Sequence, residues 1–147
     1  MREGFHYFSE NELQLEDIAK CLETMGYTTH INHSHNTELF VSFVFNYENE
    51  NRDTYFSWSK ILADVSQLES EGQNEIKSVN LDPKTLLSGE YMKLTLPNVI
   101  SILKMVLNCY GGYVHLEFGF YGIENIDNAL NDASAYGFFD IASLDDE

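Results

Sequence analysis

One segment of the chain predicts a helix that is apolar around most of its circumference. Pro97 begins it, because proline is tolerated in the first turn of a helix, and the pair Gly111 and Gly112 ends it. Such a helix is stable only when other elements cover it on several sides, so the chain has to build layers around it. Its only polar positions are Asn98, Ser101, Lys104 and Asn108.

Alternating apolar residues predict strands that supply one of these layers. Segment Glu38–Tyr47 is apolar on both faces, which is typical of a central strand. A short polar connector joins it to a second extended segment, Tyr27–Asn32, and the two predict a hairpin. The clearest strand is Tyr113–Tyr121, with Val114, Leu116, Phe118 and Phe120 on one face and Tyr113, His115, Glu117 and Tyr121 on the other.

Two further helices are predicted in the first half of the chain. Ser9 and Glu12 form a capping box at the start of a helix over 10–25, which Gly26 ends. A polar loop, Glu48–Asp53, leads to a second helix that ends at Gly72. The apolar face of this second helix comprises Trp58, Ile61, Leu62, Val65 and Leu68.

The remaining segments complete a single α+β domain over residues 1–147. They comprise a helical turn at Asp82 and Pro83 that Gly89 ends, a strand over Tyr91–Leu96, a short helix over 123–132 and an extended segment over 136–141. We expect a mostly antiparallel sheet of about five strands packed with three or four helices. The last residues, 145–147, form a short acidic end.

The charge of the chain is strongly acidic. Twenty-four Asp and Glu residues against eight Lys and Arg give a formal charge of −16 over 147 residues, divided almost evenly between the two halves. The acidity therefore belongs to the folded surface rather than to a tail. Charge of this kind bears on partner choice and encounter rate rather than on fold, and it predicts a basic partner.

The cysteines and the hydropathy indicate the compartment. Cys21 and Cys109 lie in apolar helical patterns without metal-ligand spacing, which predicts buried free thiols. The N-terminal sequence lacks the apolar stretch of a secretory signal. The longest apolar runs, Leu39–Phe45 and Val99–Leu107, are far shorter than the roughly 20 residues that span a bilayer. We expect a soluble, cytoplasmic protein that does not contact a membrane.

Three histidines in the predicted hairpin, His30, His33 and His35, are the densest set of metal-ligand side chains. No fourth ligand follows at a suitable spacing, and a polar hairpin tip readily holds solvated histidines. We expect neither a metal site nor a cofactor.

His115 and Glu117 form the candidate acid/base pair. The two residues are two positions apart on one face of the predicted strand, so their side chains would lie about 6–7 Å apart. Tyr113 and Tyr121 would lie beside them. Polar pairs on a sheet face more often belong to a surface or an interface, so contact with a partner is the favoured interpretation. A small enzyme that uses His115 and Glu117 is the alternative.

Other function classes are disfavoured by what the sequence lacks. It contains no G-x-S-x-G, H-E-x-x-H, G-x-x-x-x-G-K or G-x-G-x-x-G motif and no EF-hand loop. Eight scattered basic residues do not form the cationic footprint that direct binding of nucleic acid requires.

Carboxylates interspersed with aromatic side chains predict the surface that meets a partner. Charge raises the rate of encounter with a basic protein, and aromatic side chains anchor the contact. The candidate partner-binding residues are Glu12, Glu16 and Glu23 on the first helix, Glu48, Glu50 and Asp53 in the polar loop, and Tyr113, His115, Glu117 and Tyr121 on the last strand.

In composition and element pattern the chain resembles bacterial immunity proteins that neutralise nuclease toxins of contact-dependent and polymorphic toxin systems. The resemblance implies an inhibitor that occludes the active or nucleic-acid-binding site of a basic toxin nuclease, without turnover. Nucleic-acid mimics that inhibit other cationic enzymes are similar for the same electrostatic reason and remain an alternative. A homodimer that buries the aromatic sheet face is a third hypothesis.

Overall fold

The computed structural model describes residues 2–33, 37–47, 50–60, 70–79 and 82–138. These residues form seven strands and four α-helices. The strands are β1 (Arg2–Ser9), β2 (Thr28–Asn32), β3 (Glu38–Tyr47), β4 (Glu50–Lys60), β5 (Thr85–Met92), β6 (Tyr113–Leu116) and β7 (Gly119–Tyr121). The helices are α1 (Leu15–Thr24), α2 (Ser70–Ser78), α3 (Leu96–Tyr110) and α4 (Ala129–Tyr136).

The strands join into one sheet with the order β2-β3-β4-β5-β1-β6-β7. Every pair in the described sheet is antiparallel. The predicted α+β domain with a mostly antiparallel sheet is confirmed, although the strands exceed the expected five. Strand β1 accounts for one of the additional strands, because the N-terminal segment lies near the centre of the sheet between β5 and β6.

Three helices cover one face of the sheet and form the main core. Phe5 and Tyr7 of β1 point to this face, where they pack with apolar residues of α1, α3 and α4. Helix α3 follows its prediction closely, since seven of its side chains are buried and it ends before Gly111. Seven fully or nearly buried apolar side chains on one helix remove a large apolar area from water, which is the main favourable term in folding.

Trp58 and Phe5 meet at the centre of this core. Their ring centroids lie 4.9 Å apart in an edge-to-face arrangement. The two residues belong to strands separated by β5, where Gly89 pairs with both of them. Neighbouring strands are about 4.8 Å apart, and β5 lies between β1 and β4. The two rings contact each other across β5 because Gly89, the residue between them, has no side chain. The prediction that Gly89 ends a turn is wrong, since it lies inside β5.

The opposite face of the sheet carries a smaller apolar cluster. Phe8 and Leu86 point to this face, and Ile76 of α2 packs on them. Because β1 alternates, its even-numbered residues face α2 while Phe5 and Tyr7 face the main core. The sheet is thus covered on both sides around its centre.

The first helix begins later than its sequence predicts. Ser9 is the last residue of β1, and its hydroxyl accepts a hydrogen bond from the backbone N–H of Asn11 rather than from a helix. The carboxylate of Asp17 instead accepts a hydrogen bond from the N–H of Gln14 (2.8 Å). The Ser9–Glu12 capping box is therefore wrong, because strand pairing holds Ser9 in the sheet.

The second predicted helix is wrong at its start. Trp58 lies in β4, and residues 50–53 of the predicted polar loop are also part of this strand. Ten consecutive residue pairs join β4 to β3 and override the helical spacing that begins at Trp58. Positions 48, 49 and 61–69 are outside the described residues. Gly72, predicted to end a helix, lies inside α2.

The boundaries after residue 80 also differ from the predictions. The strand predicted over Tyr91–Leu96 is β5, which ends at Met92, and Leu96 already belongs to α3. The short helix predicted over 123–132 is a 3-10 turn at Ile126–Asn128 followed by α4. The predicted extended segment begins inside α4, and its positions beyond 138 are outside the described residues.

Cys21 of α1 and Cys109 of α3 form a disulfide. The prediction of two free thiols is wrong, because α1 and α3 pack against each other and bring the two side chains together. The same helix pair is also joined by a hydrogen bond that the Tyr110 hydroxyl donates to the Asp17 carbonyl (2.8 Å).

Among the described helices, none has both the length and the apolar content that a membrane span requires.

Candidate partner-binding surface

Exposed carboxylates exceed exposed cations throughout the part of the chain that the structure describes. Among the described side chains, a single lysine lies within salt-bridge distance of an aspartate or glutamate, at Lys104 and Asp127 (2.9 Å). Carboxylates without a cation beside them keep their negative potential, so the surface attracts positive charge over about a Debye length. The exposed acidic residues are Glu10, Glu12, Glu16, Glu23, Asp82, Glu90, Glu117, Glu124, Asp127 and Asp132.

The acidic face predicted on the first helix is smaller than expected. Glu16 and Glu23 are exposed on α1, but Glu12 precedes the helix. Lys20 is exposed and lies between Glu16 and Glu23 along the helix. Glu23 also accepts a hydrogen bond from the Thr29 hydroxyl. The helix therefore presents two carboxylates with a lysine between them.

The long hairpin of β3 and β4 extends past the neighbouring strands. Strand β2 pairs with β3 only as far as Ser42, and β5 pairs with β4 only from Ser57 onward. Beyond these points β3 and β4 continue as a ribbon, defined as Phe43–Tyr47 and Glu50–Thr54, which pair only with each other among the described strands. The ribbon projects roughly 16 Å beyond Ser42, at about 3.3 Å per residue.

The ribbon carries two of the acidic residues predicted to bind a partner. Glu50 pairs with Tyr47 in the register, and Asp53 pairs with Val44. Val44 is one of the most exposed large apolar side chains of the described residues, at 55%. Glu48, the third acidic residue of this group, lies outside the described residues.

The four residues predicted to share one face of the last strand are not together. The chain turns at 117 and 118, so the predicted strand is two strands, β6 and β7. Tyr121 pairs with Val114 and faces the main core at 2% exposure, so it is unavailable to a partner and its assignment as a contact residue is wrong. Glu117 lies exposed in the turn. Tyr113 is half-buried and stacks on Phe120 with ring centroids 5.1 Å apart.

The carboxylate that contacts His115 is Glu75, which replaces the predicted partner Glu117. Nδ1 of His115 lies 2.7 Å from Oε1 of Glu75, and both side chains are about a quarter exposed. Glu75 belongs to α2, so this contact joins the helix to β6. His6 of β1 pairs with His115 in the register, and the two rings stack with centroids 6.3 Å apart.

The sequence did not predict that His6 and Glu75 lie beside His115. The signal for His6 was the alternation at the N-terminus, where Phe5 and Tyr7 alternate with His6 and Phe8. Glu75 had no local signal, because its contact with His115 spans 40 positions of the chain and depends on which face of the sheet α2 covers.

The histidine hairpin does not assemble a metal site in the described residues. His30 and His33 are exposed, and His35 is outside the described residues. No group of three or more His, Cys, Asp or Glu side chains in the described ranges is arranged to hold a metal ion.

Three buried tyrosines are held in the neutral form. Burial raises the pKa of Tyr7 to about 12, and its hydroxyl donates a hydrogen bond to the Gly111 carbonyl (2.7 Å). Burial also raises the pKa of Tyr91 and of Tyr121, and the Tyr121 hydroxyl donates to the Asp132 carboxylate (2.7 Å). These phenols contribute to packing rather than to acid/base chemistry near neutral pH.

Comparison of the chain with known protein families, with curated proteins and with solved structures found no match.

Proposed function

We propose that this chain is an acidic inhibitor that binds a basic protein and acts by occluding its functional site. The observation that carries the proposal is the charge of −16 on a folded domain whose described carboxylates are mostly exposed. A surface of this kind raises the encounter rate with a cationic protein and repels acidic ones. The mechanism is steric and electrostatic and requires no turnover.

The specific form that we propose is an immunity protein for a toxin nuclease. Nucleases present a cationic cleft to nucleic acid, and a rigid array of carboxylates competes for that cleft. A mimic of nucleic acid that inhibits another cationic enzyme uses the same chemistry. The two are distinguished by the activity of the protein that the chain binds.

The proposed compartment is the cytoplasm, where a nuclease toxin reaches its substrate. Cytoplasmic thiols are kept reduced, so there the Cys21–Cys109 pair would be present mainly as two thiols. The helices α1 and α3 also share apolar contacts and the Tyr110–Asp17 hydrogen bond, which do not depend on the disulfide. We therefore expect binding activity in the reduced protein.

Affinity capture tests the proposal. The chain is immobilised, lysate of the native host is applied at low salt, and bound protein is eluted at high salt. The expected result is a stoichiometric basic protein whose nuclease activity is lost when the free chain is added back. A retained protein that is not basic, or one whose activity is unaffected by the chain, would contradict the proposal.

Matched charge variants test whether the acidity acts locally. Glu50→Gln with Asp53→Asn removes two charges from the ribbon, and Glu10→Gln with Glu124→Gln removes two charges elsewhere. If the ribbon carboxylates attract the captured protein locally, their removal slows association more than removal of the two charges elsewhere. Equal slowing in both variants would indicate that only the net charge matters.

A further inference from the structure

The disulfide between Cys21 and Cys109 joins two helices whose position does not depend on it. Ile18 and Leu22 of α1 and Val106 of α3 are completely buried in the main core, so apolar packing holds both helices on the sheet. This packing persists when the bond is broken, because the burial of apolar side chains is independent of the redox state of the two sulfurs. The bond is therefore added to a helix pair that is already assembled.

The same packing holds the two cysteines at bonding distance. Their Cα atoms lie 6.6 Å apart, within the range over which a disulfide forms without movement of the backbone. Beside them, the Tyr110 hydroxyl donates to the Asp17 carbonyl and joins the last turn of α3 to the turn of α1 that precedes Cys21. The bond can thus open and close while the two helices stay in place.

The two cysteines differ in their access to solvent. Cys109 is exposed in the last turn of α3, whereas Cys21 is 5% exposed. The rate of thiol–disulfide exchange depends on which sulfur an incoming thiol or disulfide can reach. A small reagent therefore meets Cys109 first.

The thiol of Cys21 has a hydrogen-bond acceptor in the reduced state. Its Sγ lies 3.7 Å from the carbonyl oxygen of Met105, which precedes Cys109 by one turn of α3. In the disulfide this sulfur carries no proton, so the contact becomes a hydrogen bond only when the thiol forms. The buried sulfur is accommodated in both redox states.

We propose that Cys109 is a thiol–disulfide exchange site for small thiols and disulfides of the glutathione class, and that Cys21 is the resolving cysteine that closes the bond to α1. The proposal rests in part on the proposed compartment, since disulfides of cytoplasmic proteins are usually transient and either catalytic or redox-sensing. An accessible cysteine beside a resolving one is typical of such sensors. In reducing surroundings the pair is a dithiol, and an oxidant joins α1 to α3.

Closure of the bond proceeds through a mixed disulfide. The Cys109 thiolate attacks one sulfur of glutathione disulfide, forms a bond to it and releases one glutathione thiolate. The Cys21 thiolate then attacks the Cys109 sulfur, closes the bond between the helices and releases the second glutathione. The two cysteine thiols lose two protons and two electrons in total, and glutathione disulfide is reduced to two glutathione thiols. Reduction follows the same steps in reverse.

Two single-cysteine variants test the order of these steps. Reduced Cys21→Ala retains Cys109, reduced Cys109→Ala retains Cys21, and neither can form the bond. Each is mixed with glutathione disulfide, and the rate of adduct formation is measured by mass spectrometry. We expect Cys109 to react at least about tenfold faster than Cys21, because a buried structural thiol is inert. Equal rates, or faster reaction at Cys21, would overturn the proposal.

Unfolding of the same variants provides the control. In concentrated urea both thiols are accessible, so their rates should become similar. A difference that persists in urea would show that the fold does not determine the order, and it would overturn the proposal. Circular dichroism before the reaction verifies that both variants are folded in the absence of urea.

The original chain provides a test that needs no substitution. After reduction and addition of glutathione disulfide, it should regain the Cys21–Cys109 bond, and peptide mapping of acid-quenched samples should place glutathione on Cys109 before closure. Final products with glutathione on both cysteines, or an adduct mainly on Cys21, would overturn the proposal. None of these results would contradict the acidic inhibitor, which is tested by the protein captured from lysate.

Discussion

His115 Nδ1 lies 2.7 Å from Oε1 of Glu75, and this contact joins α2 to β6 on the face of the sheet opposite the main core. Together with the packing of Ile76 on Phe8 and Leu86, it fixes the position of α2. Its role is structural in our account, because it couples a short helix to a strand that lies far away in sequence.

Removal of this contact should weaken the docking of α2. Glu75→Gln is expected to lower the free energy of unfolding by about 1 kcal/mol, the usual net contribution of one partly buried polar contact. Urea denaturation measures the loss, and hydrogen exchange should show faster opening of α2. Lys77→Gln, at an exposed position of the same helix, is the control and should change stability little. Unchanged exchange in α2 of the Glu75 variant would contradict a docking role.

Gly112 should not tolerate a side chain. Its φ is +89°, and a Cβ at this position would lie 2.1 Å from the carbonyl oxygen of Phe8. Gly112→Ala is expected to cost about 2 kcal/mol or more, because the backbone of β1 has to move. Gly26 has a φ of +93° but nothing within 4 Å of its Cβ position, so Gly26→Ala should cost only about 1 kcal/mol. Thermal unfolding of the two variants separates the effect of the steric clash from that of backbone strain. Equal losses of stability in both variants would contradict a clash at Gly112.

The contrast between these glycines illustrates what the sequence could show. The end of α3 at Gly111 follows from local pattern, because an apolar helix followed by two glycines has one natural stopping point. The contact of Gly112 with β1 could not be predicted, since it depends on a strand pairing over more than 100 residues. The same limit applies to Trp58, where pairing with a distant strand determines the structure and local helical spacing gives the wrong answer.

The candidate surface was likewise predictable from the sequence only in part. Its acidity was predicted from composition, and the pairing of β2 with β3 from alternating residues and a short polar connector. The pairing of β3 with β4 was not predicted, because residues 48–53 were expected to be a loop that leads to a helix. The extension of β3 and β4 beyond their neighbours was not predicted either, because it depends on where β2 and β5 stop pairing. The burial of Tyr121 was missed because two residues of turn interrupt an alternation that the sequence continues without a break.

Stability should fall at high pH because of the buried tyrosines. The folded-state pKa of Tyr7 is raised to about 12 by burial, above a value of about 10 for an exposed tyrosine. The neutral phenol is therefore favoured in the folded state, so its contribution is complete below about pH 10 and is lost as the pH rises toward 12. Urea denaturation at increasing pH measures this loss. The Tyr7→Phe variant starts from a lower stability, and relative to that starting value it should lose less free energy of unfolding than the original chain. A stability that is constant from pH 9 to about pH 12 would contradict burial of the phenols.

Reduction of the disulfide should lower stability without unfolding the chain. The bond closes a loop with a sequence separation of 88, for which loop entropy predicts about 4.6 kcal/mol, although measured values are often smaller. The double variant Cys21→Ala, Cys109→Ala should lose a similar amount and should no longer respond to a reductant. Thiol titration of the unfolded protein checks the starting state. Two free thiols in the oxidised protein would contradict the bond.

The central claim is that an acidic surface directs this chain to a basic protein. The most direct test is the association rate between the chain and the protein captured from host lysate, measured by stopped flow across a range of ionic strength. The account predicts a rate that falls by at least about tenfold between low and high salt, while the dissociation rate changes little. An association rate that is independent of salt would contradict electrostatic recognition, whatever the captured protein is.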